Sequence, residues 1–247
     1  MDFTRNTGAV IKRELAAYFE SPVAYVFMVA FLMLIGFLTF FVSRFYESGQ
    51  ADLRGFFFWH PWMFLILVPA AAMRLWAEER RAGTIETLLT LPVTATQVIL
   101  GKFIAAWIFI GLIVALTFPI VLTTAYLGSP DRGAIVCGYI GSLLLAGAYL
   151  SVGMLTSALT RNQVISFVLS LVICLFLLLA GWPPVTDLMV RWAPEWLVRG
   201  VASFSFMPHY ETFQKGVLDL RDFAYYFSVI IFMLFGAHLV LENRKAA

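Results

Sequence analysis

Long apolar stretches alternate with short polar breaks along the chain, and the breaks divide it into segments long enough to cross a bilayer as helices, which takes about 20 residues. The predicted spans are residues 22–42, 57–76, 97–126, 134–158, 164–182 and 223–241. The expected fold class is all-α: a polytopic integral membrane protein with six transmembrane helices in a single domain, 1–247. Residues 4–20 precede the first span as an amphipathic helix suited to the membrane interface. Val10, Ile11, Leu15, Tyr18 and Phe19 share one face, against Arg5, Lys12, Arg13 and Glu14. Ser21 is placed to cap the next helix, with Pro22 in its first turn. The run from Phe56 to Trp62 reads as an aromatic belt at a membrane face. The third span is longer than a bilayer needs, and Pro119 predicts a kink in it. In the fourth span Gly141, Ala146, Gly147, Ala148, Ser151 and Gly153 permit close helix packing. Residues 183–222 mix charges with Trp192, Trp196, Phe204, Phe206, Tyr210 and Phe213. They are too polar to span and too aromatic for a solvated loop, so short helices at or dipping into the outer interface are expected.

The polar island from Glu78 to Lys102 has the marks of a structured loop. Gly83 breaks the helix leaving the membrane. Thr84 can cap a new short helix, with Ile85, Leu88 and Leu89 on one face and Glu86 on another. Pro92 ends that helix, and Thr94 with Gln97 forms a capping box for the next span.

The pattern E-E-R-x-x-G-T-I-E-x-L-L-x-x-P-V, followed by Gly101-Lys102, resembles the cytoplasmic signature of ABC-2-type transporter permeases. Within that family the short chain and the stretch Met207–Asp219 are most similar to the gliding-motility-type subunits. The resemblance implies that 78–92 is a coupling loop and helix docking on an ATPase subunit. Its contact residues would be Glu78, Glu79, Arg80, Gly83, Thr84, Ile85, Glu86, Leu88, Leu89 and Pro92. In the outer segment, His209, Tyr210, Phe213, Gly216 and Asp219 would cap the pathway or dock a partner. The resemblance also implies two copies of a cytoplasmic ABC ATPase, which bind ATP and Mg, and a second permease copy or paralogue completing a dimer. It allows for a membrane protein with a large extracytoplasmic domain. ATP-driven motion of the docked helix would serve export or force transmission; a passive channel or scaffold subunit is the alternative.

Composition and charge agree with a membrane setting. The chain is 61% hydrophobic and 13% charged, against about 25% charged in soluble domains, and a net charge of +2 argues against nucleic acid as a partner. Charges spread over the first 20 residues and a long following apolar run argue against a cleaved signal peptide. Ten Lys and Arg fall on the side of the N-terminus and seven on the other. That bias favours cytoplasmic termini; the resemblance implies a bacterial inner membrane, with membrane lipid as a partner. Chemistry of other kinds finds no support. Gly101-Lys102 is followed by Phe103, and position 96 is Thr, so the P-loop pattern fails. No cofactor is expected in the chain itself. His60, His209 and His238 have no metal-ligand spacing. Cys137 and Cys174 sit in apolar runs as small hydrophobes. No predicted span carries a charge in its middle third, and Thr117, Thr123 and Thr124 are expected to bond to their own helices.

Overall fold

The structure, a computed structural model, describes residues 3–47, 49–83 and 94–243. The short helix expected over 84–92 lies outside these residues. Among the described residues every regular element is helical. In order they are α1 (Phe3–Glu20), α2 (Pro22–Phe37), a π-helical turn (Leu38–Val42), α3 (Arg54–Ala72) and α4 (Arg74–Ala82). Then come α5 (Ala95–Ala115), α6 (Phe118–Leu127), α7 (Arg132–Leu159) and α8 (Gln163–Leu179). The last are α9 (Pro183–Met189), α10 (Glu195–Ser203), α11 (Phe206–Gln214) and α12 (Leu220–Asn243). Five helices or continuous pairs are long and apolar enough to cross a membrane. A sixth arises if α8 and α9, bent by 80°, form one broken span.

α7 is the centre of the bundle, touching α3, α4, α5, α8, α11 and α12. Its glycines explain how so many neighbours fit. A Cβ at Gly138 would lie 2.6 Å from the Phe57 ring, and one at Gly141 would lie 2.6 Å from Phe213 Cβ. At Gly147 it would meet Trp107 and Ile230, and at Gly153 it would collide with Ala72. Gly138 and Gly153 admit α3, Gly141 admits α11, and Gly147 admits α5 and α12, so the small residues are spread around α7 rather than lined on one seam.

The breaks between helices have local causes. Pro119 cannot donate a backbone hydrogen bond and its ring crowds the preceding turn, and the chain breaks between α5 and α6 at Leu116 and Thr117. The Thr123 and Thr124 hydroxyls donate to the Pro119 and Ile120 carbonyls of their own helix, whereas Thr117, in the break, donates back to Val114 O of α5 and also meets the Tyr139 hydroxyl of α7 at 2.9 Å. Between α3 and α4 a side chain enters the ladder instead. Ser157 Oγ accepts from the N–H groups of Trp76 and Ala77, each at 3.0 Å, and donates to Met73 O at 3.0 Å. One buried hydroxyl thus replaces the main-chain partners lost at the break. At the end of α8, Trp182 precedes Pro183 and takes an extended conformation, as that position requires. The neighbouring Gly181 is pressed against Ser205, whose hydroxyl donates to Leu178 O at 3.1 Å.

Three expectations are corrected in detail. The Phe56–Trp62 run is not a belt facing outward as a whole. Phe56, Phe57, His60 and Pro61 are buried, because the helical period turns them toward α7 and α2. Phe58 stays exposed, and Trp59 Nε1 donates to Ser43 Oγ at 2.9 Å. Ser21 makes no side-chain cap; its Oγ faces Arg74 at 3.5 Å. The 183–222 segment is not uniform. Trp192 and Trp196 stand exposed, whereas α11 folds into the bundle with Phe206, Met207, Tyr210 and Phe213 buried.

Candidate functional site

The residues expected in the outer segment tie α11 to three other helices. The Tyr210 hydroxyl donates to Phe57 O at 3.0 Å and meets Ser142 Oγ at 3.0 Å. Phe213 fills the space over Gly141. His209 Nδ1 lies 2.6 Å from Asp222 Oδ1 and its ring stacks on Tyr225 at 3.9 Å. Gly216 has a left-handed φ of 78°, and its Cα side packs against the Ala134 backbone, where a Cβ would be 3.2 Å away. Asp219 accepts from Arg221 N at 2.9 Å and so caps the start of α12. Tyr210 and Phe213 therefore point into this chain rather than outward.

The second cluster lies at the end of the bundle where α1, α4 and the start of α5 meet, called the proximal end below. α1 runs lengthwise along α5: Val10 packs on Gly101, with no room for a Cβ there, and Tyr18 stacks on Phe109 at 4.7 Å. The close approach brings Glu14 beside Lys102. Lys102 Nζ is 3.2 Å from Glu14 Oε1 and 2.8 Å from Glu79 Oε1, and it lies 5.3 Å from the centre of the Trp76 ring. Its side chain is only 3% exposed. Arg13 adds an ion pair to Glu14 at 2.6 Å. The ammonium thus joins α1, α4 and α5 at one point, with its charge met by carboxylates and an aromatic face.

Of the expected ATPase-contact residues, Glu78 is half exposed and pairs with Arg74 at 3.0 Å. Glu79 faces Lys102, and Arg80 Nη1 donates to Ala158 O at 2.5 Å, so both are engaged inside the chain. Gly83 closes α4 in a left-handed conformation, φ 70°. Thr84, Ile85, Glu86, Leu88, Leu89 and Pro92 lie outside the described residues. Just past that stretch, Thr94 and Gln97 form the expected capping box. Sequence reasoning overlooked Glu14, Trp76 and Lys102. The available signal was a lysine a few residues inside an otherwise apolar run, preceded by a glycine.

Burial by itself would raise the Glu14 pKa, but attraction to Lys102 and hydrogen bonds from Arg13 and Lys102 outweigh it and hold the carboxyl below its ordinary value. A depressed carboxyl stabilises the fold above its unfolded pKa, and this stability is lost as pH falls through the folded value. Thermal unfolding of the purified chain should therefore drop on acidification below the usual carboxylate range. In Glu14→Gln that part of the drop should vanish, leaving a flatter profile; an unchanged profile would refute the assignment.

Residues 62–234, well over half of the chain, match the ABC-2 family transporter protein domain. The chain belongs to the ABC-2 transporter family. Members of this family are membrane transport components rather than ATPases, and they generally work with a cytoplasmic ATPase partner, often as dimers. The chain is also 34% identical over 87 residues to the probable multidrug ABC transporter permease YbhS of Escherichia coli K12, and equally to that of Escherichia coli O157:H7. The match takes in 35% of this chain and spans 22% of the length of these curated relatives. The ABC-2 permease is thus a multi-pass membrane protein, and its proximal cluster flanks the polar stretch between α4 and α5.

Proposed function

We propose that this chain is the membrane-spanning subunit through which a separate ATPase drives export or force transmission across a bacterial inner membrane. In this reading the proximal end and both termini are cytoplasmic. The 84–92 stretch docks on the ATPase, two copies of which bind ATP and Mg beside a permease dimer. α2, α3–α4, α5–α6, α7, α8 and α12 are the spans, with α9 turned away at the outer end. The outer segment caps the pathway or receives a partner, as in the gliding-motility-type subunits that Met207–Asp219 resembles.

One observation carries the reading: Lys102 clasps both stems of the polar stretch, through Glu79 on the way in and its own helix on the way out. A push on that stretch therefore cannot be absorbed by the stems separating. It moves α4 and α5 together, and with them α1 and, through Ser157, α7. The sequence pattern places Ile85, Leu88 and Leu89 on one apolar face, which needs a partner to cover it. Truncating a well-buried interface residue costs about 2 kcal/mol or more. Leu88→Asp combined with Glu86→Lys should release the ATPase from the co-purified complex and uncouple hydrolysis, while the permease elutes and melts as before. Retention of the ATPase with transport intact would refute the docking.

A further inference from the structure

A cleft of about 310 Å³ opens at the proximal end between α1, α2, α3–α4 and α5. That is the lower end of ligand-sized clefts, roughly 300–1,000 Å³. It is two-natured. Its depth is apolar, walled by Phe27, Leu67, Phe109, Ile110 and Ile113. The space exists because small residues, Ala17, Ala24, Ala70 and Ala71, stand where larger ones would fill it. Its rim is charged, with Glu14, Arg74, Glu78, Glu79 and Lys102. The rim charges fall into two classes. Lys102 is locked in the buried cluster between Glu14 and Glu79. Arg74 and Glu78 instead form a half-exposed pair, with side chains 41% and 50% exposed. Such a pair has little net stability and can be repartnered at little cost.

The order of these two charges is informative. α3 supplies the apolar depth at Leu67, Ala70 and Ala71, and α4 continues away from it. Arg74 is therefore nearest the apolar part, and Glu78 is one helical turn, about 5.4 Å, farther out. A cation nearest the tails and an anion beyond it match a phospholipid whose phosphate lies next to the glycerol and whose ammonium lies outermost. The guanidinium suits the phosphate as a planar multiple donor, and the carboxylate accepts the N–H groups of a primary ammonium.

We propose that this cleft holds one zwitterionic phospholipid with a primary-amine headgroup, of the phosphatidylethanolamine class. Its phosphate sits on Arg74, its ammonium on Glu78, and part of an acyl chain lies among Phe27, Leu67 and Ile113. The inference rests on the reading that the proximal end lies at a membrane surface, but not on any ATPase contact.

The test is native mass spectrometry of the full chain in mild detergent. Phosphatidylethanolamine, phosphatidylglycerol and phosphatidylcholine with matched acyl chains are added in equal amounts. Phosphatidylglycerol lacks the ammonium, and phosphatidylcholine lacks its N–H donors. One phosphatidylethanolamine should be retained per chain, with about tenfold preference over the other two. The charge swap Arg74→Glu with Glu78→Arg keeps the i,i+4 ion pair and reverses only its order along α4. It should abolish the preference. Glu78→Gln, at a half-exposed position, should lower it toward the phosphatidylglycerol level and keeps the test decisive where the swap fails to fold. Ala71→Phe should block retention of all three lipids. Equal retention of the three by the unaltered chain overturns the proposal, as does a preference unchanged in both the swap and Glu78→Gln. Because lipid retention is read without ATPase or transport, its failure would leave the coupling reading standing, and release of the ATPase would leave this one standing.

Discussion

Lys102→Met should be among the most damaging single changes in this chain, lowering stability by about 3–5 kcal/mol, the scale for removing one partner of a buried ion pair. Methionine matches the length of the lysine stem, so the loss isolates the charge. Without the ammonium, Glu14 and Glu79, whose side chains are 15% and 20% exposed, face each other with little water to screen them. Arg13, at 2.6 Å from Glu14 and 4.0 Å from Glu79, compensates in part. The measurement is thermal or denaturant unfolding in detergent. A triple variant, Lys102→Met with Glu14→Gln and Glu79→Gln, should recover most of the stability, because an uncharged cluster leaves no carboxylate stranded. The triple variant should nevertheless couple poorly to an ATPase, because the clasp between α1, α4 and α5 is gone. Single-variant stability within 1 kcal/mol of the unaltered chain, a margin well below the cost of an unpaired buried charge, would contradict the buried geometry.

Gly153→Leu should be nearly as severe, about 3 kcal/mol, at the upper part of the range for overpacking. The reason is its neighbour: a Cβ at Gly153 runs into Ala72, whose side chain is already minimal, so the backbones of α3 and α7 must separate. Gly153 and Ser157 lie one turn apart on the same face of α7. Separation therefore also draws the Ser157 hydroxyl away from Met73, Trp76 and Ala77, and the α3–α4 break loses its hydrogen-bond partners. Gly36→Leu is the control. Nothing lies within 4 Å of a Cβ at that position, and leucine favours a helix more than glycine does. It should be neutral or slightly stabilising. Comparable losses at both glycines would mean that the contact with Ala72 is not what matters.

What could be foreseen from the residues was whatever depends on near neighbours in the chain. Gly83 as a left-handed stop, Thr94 with Gln97 as a capping box, and the break before Pro119 are all decided within four residues, and each is found. The hydroxyls of Thr123 and Thr124 bond to their own helix for the same reason, while that of Thr117 also reaches Tyr139 on α7. The misses depend on partners far along the chain. α11 mixes aromatic and charged residues in a way that suits an interface. Its burial follows from Gly141, more than sixty residues earlier, and from the Phe57 carbonyl, more than a hundred and fifty earlier. The aromatic run at Phe56–Trp62 was read by composition, whereas the helical period decides which of its rings turn inward. The proximal cluster was hidden differently. Glu14 looked like the polar face of a surface helix, and Gly101-Lys102 like the end of a signature. Only the packing of α1 on Gly101 brings the two charges together.

The hydroxyls of α7 bear on how the protein is made. α7 is the most enclosed of the candidate spans, yet two of its main neighbours, α11 and α12, are synthesised after it. Ser142, Ser151 and Thr156 are all buried in the finished bundle, Ser142 against the Tyr210 hydroxyl of α11. Each already donates to a carbonyl of α7 itself, at Gly138, Ala148 and Gly153. The helix can thus enter lipid with its polar groups satisfied and wait for its later partners. Ser157 differs, since its partners Met73, Trp76 and Ala77 lie at the α3–α4 break and in α4, which have already left the ribosome. Order of synthesis and order of hydrogen bonding therefore coincide along this helix.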